Sequence, residues 1–162
     1  MSNQSQKITT FITFNNQAEE AVNFYCSVFE DAEIYNLERF ESGEPGAKAT
    51  VINASFRLYD QEFLAMDVPG GFPMGHGISL FVDCDSQAEV DHLWDALSEG
   101  GQVMQCGWLT DKFGVAWQII PDALSKLVTS GNEAQRTAVV NAMLQMKKIE
   151  VAELEQAFAQ AE

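Results

Sequence analysis

The chain has 162 residues, 46% apolar and 20% charged, enough for one core and too few for two ordinary domains. Nine Lys and Arg stand against 24 Asp and Glu, a net charge of -15, which opposes association with a nucleic-acid backbone or an anionic membrane surface. The longest unbroken apolar run is Phe63–Met66, far short of the ~20 residues a membrane helix needs.

In chain order, the apolar run Ile8–Phe14 reads as a strand leading through a polar turn into an amphipathic helix. That helix carries Ala18, Ala21, Val22, Tyr25 and Phe29 at helical spacing. Residues 33–40, 49–58 and 61–68 then show the alternation and β-branched or aromatic content of strands, with a turn at Gly43–Gly46. The same order recurs. Ile78–Val82 leads into Asp85-Ser86-Gln87-Ala88-Glu89, which matches Asn15-Asn16-Gln17-Ala18-Glu19, and then into a helix with Val90, Leu93, Trp94 and Leu97 on one side. Gln102–Leu109 reads as one strand, Thr110–Gly114 as a turn in which Asp111 and Lys112 are solvated, and Val115–Ile120 as the last strand. The chain is thus expected to be α+β, built of two βαβββ modules over residues 8–68 and 77–120.

Beyond Pro121 the composition turns to helix formers, so 122–162 is expected to be a C-terminal helical extension. Asn132 with Gln135 three residues on suits a reciprocal N-cap, and Lys147-Lys148 suits a helix C-terminus. Val139, Met143 and Met146 form its stripe, followed by a second helix from Val151 to Ala161 with Val151, Leu154 and Phe158. The N-terminal Met-Ser-Asn-Gln-Ser-Gln-Lys lacks the basic end and apolar stretch of a secretory signal. Cys26, Cys84 and Cys106 are odd in number with no Cys-x-x-Cys spacing. Free thiols and a cytoplasmic location are therefore expected.

Three segments carry a family resemblance: Gln17-Ala-Glu-Glu-Ala-Val-Asn-Phe-Tyr25, Cys106-Gly-Trp-Leu-Thr-Asp-Lys-Phe-Gly-Val-Ala-Trp-Gln-Ile-Ile-Pro121, and Ala142-Met-Leu-Gln-Met-Lys-Lys-Ile149. With the paired modules, the chain resembles the vicinal oxygen chelate superfamily of glyoxalases, bleomycin-resistance proteins and extradiol dioxygenases. Within it the chain is similar to the PhnB-like branch, often labelled a 3-demethylubiquinone-9 3-methyltransferase domain. The resemblance implies that the modules form a cup-shaped mixed sheet around a small organic ligand, in a homodimer. It also places Thr10, Ala65–Asp67, Gly77 and Gln118 near the positions where metal-dependent relatives hold a divalent ion.

Of those positions only Gln118 is itself a usual ligand type, and an amide binds weakly. His76 stands one residue from the third position, where a strand would turn it to the opposite face. His92, among Asp91, Asp95 and Glu99, reads as part of a solvated helix side. The expected cup residues are Thr10, Met66, Asp67, His76, Cys106, Trp108 and Gln118, with no firmly held metal and no other cofactor; His76 and Gln118 are the metal candidates that remain. Cys106 has no neighbouring His and reads as a structural thiol rather than a nucleophile. If Gln118 looks into the cup, Trp117 packs beneath the helices, while Trp108 is left with two facings.

S-adenosylmethionine chemistry would call for a Gly-rich turn between a strand and a helix, and neither Gly70-Gly71 nor Gly100-Gly101 has that context. No hydrolase or phosphate-cradling motif is present either. The expected function is therefore binding or sequestration of a small organic molecule. The alternatives are a metal-assisted lyase, isomerase or methyl-transfer enzyme using Gln118 and His76, and a dimeric interaction module with a filled cup.

Overall fold

In the computed structural model, which describes residues 6–45 and 47–161, the chain divides into compact units at Pro73/Met74. The first unit runs β1 (Thr10–Phe14), α1 (Ala18–Val28), β2 (Ala32–Phe40), β3 (Thr50–Leu58) and β4 (Gln61–Asp67). Its sheet has the order β1-β4-β3-β2, parallel where β1 meets β4 and antiparallel elsewhere. The apolar stripe of α1 is the reason it lies flat on one sheet face: Ala18, Ala21, Val22, Tyr25 and Val28 are buried, and Tyr25 stacks on Phe56 of β3.

The second unit repeats the order with β5 (Leu80–Cys84), α2 (Gln87–Ser98), β6 (Gln102–Val103), β7 (Trp108–Thr110) and β8 (Ala116–Pro121). Its sheet order is β5-β8-β7-β6, again parallel only between the first and last strands. Val90, Leu93, Trp94 and Leu97 of α2 are buried, and Ser86 caps the helix by accepting from the Glu89 amide at 3.2 Å. The expected βαβββ order is present in each unit, and the sheets are mixed.

Two differences from the expected strands have plain causes. Gln102–Leu109 is not one strand: Cys106 and Gly107 take φ of 59° and 80°, so β6 ends at Val103 and β7 starts at Trp108. Left-handed backbone cannot continue a ladder. The turn expected at Thr110–Gly114 is shorter, because Thr110 still pairs with Ala116.

The extension follows β8 without a break as α3 (Asp122–Ser130), α4 (Glu133–Gln145) and α5 (Val151–Gln160). Asn132 and Gln135 form the reciprocal capping box at the start of α4. Lys147 and Lys148 do not end a helix: α4 stops at Gln145, and Lys148 instead pairs with Asp91 of α2 at 2.7 Å and with Glu150 at 3.1 Å. Val139, Met146, Ile149 and Leu154 gather around Ile120 as a buried cluster. No helix is long and apolar enough to cross a membrane among the described residues.

Candidate functional site

Strand register decides which side chains are available. In the first unit Thr10, Ile12 and Phe14 pair with Phe63, Ala65 and Asp67, and this set lies on the α1 side of the sheet. Thr10 and Asp67, both expected in a ligand cup, are therefore turned toward the helix layer. A period of two puts Phe11, Thr13, Leu64 and Met66 on the other face. Phe11 there is 49% exposed, and Met66 is half-buried.

Asp67 is a framework group. Its Oδ1 accepts the Ala18 amide at 2.8 Å and its Oδ2 the Val51 amide at 2.9 Å. The first contact caps α1, whose own N-cap residue Gln17 makes no side-chain cap bond. With the side chain buried and both oxygens occupied, the carboxylate is committed to joining α1, β3 and β4.

In the second unit the register resolves the facing of Trp108. Trp108 pairs with Gln118, Thr110 with Ala116, and Phe81 with Gln118 from the other side. All lie on the face away from α2, where Phe81 is 58% exposed and Trp108 half-buried. Trp117 and Ile119 alternate onto the α2 side and are buried. Two groups from the segment leading into β5 reach this face. Gln118 Nε2 donates to Ser79 Oγ at 2.9 Å, and His76 Nε2 lies 3.0 Å from Thr110 Oγ1. His76, Trp108 and Gln118 of the expected set thus meet on one face, joined by Phe81, Ser79 and Thr110, which residue types alone did not single out.

Cys106 lies at the end of β7 away from Thr110, half-buried, with its amide donating to Met146 O of the extension at 2.8 Å. The turn residue Asp111 is buried at 3% exposure rather than solvated. Its Oδ1 accepts the amides of Phe113 at 2.9 Å and Val115 at 3.0 Å, and its Oδ2 accepts Trp117 Nε1 at 2.8 Å. The overlooked signal was Trp117: a buried indole N–H needs an acceptor. His92 is exposed on α2, as its acidic neighbours predicted.

The donor set does not suit a resident divalent cation. On the second unit's face the candidate donors are the imidazole of His76, beside the Thr110 hydroxyl, and the amide oxygen of Gln118, a weak ligand, so both have hydroxyl rather than carboxylate partners. Among the described residues no group of three or more His, Cys, Asp or Glu is arranged to hold a metal ion. A methyl-donor cradle fits no better. Gly70 and Gly71 form the turn after β4, where Gly70 N donates to Asn15 Oδ1 at 2.9 Å and Gly71 N to Val68 O at 2.8 Å. Gly100-Gly101 joins α2 to β6, and a Cβ at Gly101 would run into the Thr110 carbonyl oxygen. These glycines permit turns and close backbone packing, and neither pair opens a helix toward a ligand.

The family described as 3-demethylubiquinone-9 3-methyltransferase matches residues 6–120. The chain belongs to that family. Its PhnB-like character and its α+β fold of two mixed four-stranded sheets agree with a solved relative. A protein from Bacillus cereus, described as a PhnB protein of this family, is 39% identical with a TM-score of 0.66, over 72% of this chain and 99% of that one. A protein from Pseudomonas aeruginosa is 28% identical with a TM-score of 0.59, over 73% of this chain and 100% of the other. No curated protein matches. The family match ends with β8, so the third resembling segment, Ala142–Ile149, lies outside it.

Proposed function

We propose that this PhnB-like protein binds a small planar organic molecule on the face of its second unit and sequesters it, with no resident metal and no methyl transfer of its own. The observation that carries the reading is the register of β5, β7 and β8, which sets two aromatic side chains, Phe81 and Trp108, beside the polar groups of Gln118, Thr110 and His76. Small-molecule sites combine an apolar lining with a few placed polar groups in this way. The aromatic rings offer stacking surface, and Gln118 has a second amide hydrogen beyond the one given to Ser79. Methyl transfer finds no support in the glycine turns, and metal-assisted chemistry none in the donor set. A homodimer in solution belongs to the same reading.

A ligand-observed NMR screen of small planar aromatics against the full chain tests this. Binders should weaken about fivefold or more in Trp108→Ala and in Gln118→Ala, since each variant removes about a kilocalorie or more of contact. Binders indifferent to both variants, a panel without binders, or turnover of S-adenosylmethionine on a phenolic acceptor would overturn the reading.

A further inference from the structure

Ile120 departs from the rest of the second unit's face. It stands two residues beyond Gln118 on β8 and pairs with Asp83 of β5, so it shares the side of Gln118 and Phe81. Yet Ile120 is 9% exposed where Phe81 is 58% exposed. What covers it is the extension, through the cluster of Val139, Met146, Ile149 and Leu154.

The covering is anchored from two directions. The amides of Cys106 and Gly107 donate to Met146 O at 2.8 Å and Lys147 O at 2.7 Å. A Cβ at Gly107 would lie 2.6 Å from Ile120 Cδ1 and 3.2 Å from Ile149 Cγ1, so glycine there lets the extension seat. On the α2 side, Gln87 accepts the Val151 amide at 2.7 Å and donates to Ile149 O at 3.1 Å, beside the Lys148–Asp91 pair. The extension is also what the relatives do not account for. The Bacillus cereus protein is matched over 99% of its length by 72% of this chain, and the family match stops at Ile120.

We propose that the C-terminal extension is the end wall of the ligand face, and that Ile120 and Ile149 set how far a bound molecule extends along β8. This rests on the ligand reading above. Gln118 and Ile120 are about 7 Å apart along the strand, which leaves length for one or two aromatic rings and none for a long substituent pointing toward the wall. The wall is one-sided: it closes over β7 and β8, while Asp83 on β5 stays exposed.

The test uses para-cresol, para-butylphenol and para-octylphenol as probes against the full chain, Ile149→Ala and Gln87→Ala. Binding is read by calorimetry, and hydrogen exchange of the Cys106 and Gly107 amides reads the docking of the extension. In the wild type, affinity should rise to the butyl compound and stop. In both variants exchange should rise and the octyl compound should bind about tenfold tighter than to wild type, since each newly buried methylene is worth about fourfold. Gln87→Ala removes no side chain of the buried cluster and so guards against loss of the fold in Ile149→Ala. The wall is overturned if the octyl compound binds all three proteins alike, if wild-type affinity keeps climbing to octyl, or if exchange does not rise. Binding of the phenols that survives Trp108→Ala, or no binding by any of them, overturns the ligand reading and the wall with it.

Discussion

Replacing Asp111 with alanine should destabilise the second unit by about 4 kcal/mol, since a buried donor left without its acceptor costs about 1–3 kcal/mol and this carboxylate serves three. Its side chain is 3% exposed and accepts two main-chain amides and the indole N–H of Trp117, itself 2% exposed. Alanine fills none of these roles. Asp111→Asn is the sharper probe. Its carbonyl oxygen can still serve Phe113 and Val115, but its amide then points hydrogens at the Trp117 N–H, an opposition worth about 2 kcal/mol. In a Trp117→Phe background that opposition disappears, so Asp111→Asn should cost about 2 kcal/mol less there than in the wild type. Urea unfolding followed by tryptophan fluorescence and circular dichroism measures all of these changes. A loss below about 1 kcal/mol for Asp111→Ala, or equal costs of Asp111→Asn in the two backgrounds, would refute the reasoning.

Gly101→Ala should lower stability by about 3 kcal/mol in thermal denaturation, because the new Cβ meets backbone that cannot rotate away, with Asp111 Cα at 2.9 Å. Cys84 should resist alkylation at pH 8 while Cys106 reacts, with Cys26, whose thiol is also pushed up by burial, reacting more slowly than Cys106. Cys84 is buried, and burial, with the charges of Glu89, Asp83 and Asp85, pushes its thiol up to about 12; mass spectrometry of the labelled protein decides this. Docking of the extension onto α2 should weaken in acid. Lys148, helped by Gln87, holds the Asp91 carboxyl below its ordinary 3.8, so its contribution is present above that value and is lost as pH falls through the lowered one. Because Asp91 is 44% exposed, the effect should be small. Protection of the Val151 amide, taken relative to its intrinsic exchange rate at each pH, should fall on acidification in the wild type and stay flat in Lys148→Met.

The helices and the repeat were legible because their signals are local. Ala18, Ala21, Val22 and Tyr25 mark a buried stripe within one helix, and Asn132 reaches only to Gln135. What the sequence hid depends on partners far along the chain. The cap of α1 comes from Asp67, 49 residues on, so Asp67 looked like a cup residue when it is a helix cap. Thr10 was misplaced by one step in a strand, which is enough to reverse its face. Asp111 looked like an ordinary turn residue because Asp-Lys-Phe-Gly is ordinary turn chemistry, and only the need of Trp117 for an acceptor distinguishes it. The facing of Trp108 followed from its register with Gln118, which composition does not encode.

The main-chain bonds from Cys106 and Gly107 to Met146 and Lys147 have a consequence for how this protein can change over time. A junction made of peptide groups does not read side chains, so the outward residues of α4 and α5 are at liberty to drift without loosening the attachment. Within that junction, constraint falls on two positions. Proline at Cys106 or Gly107 would remove a donor, and any larger residue at Gly107 would collide with Ile120 and Ile149. Variation among chains that carry this extension should therefore be broad along its exposed helices and narrow at a loop that belongs to the sheet.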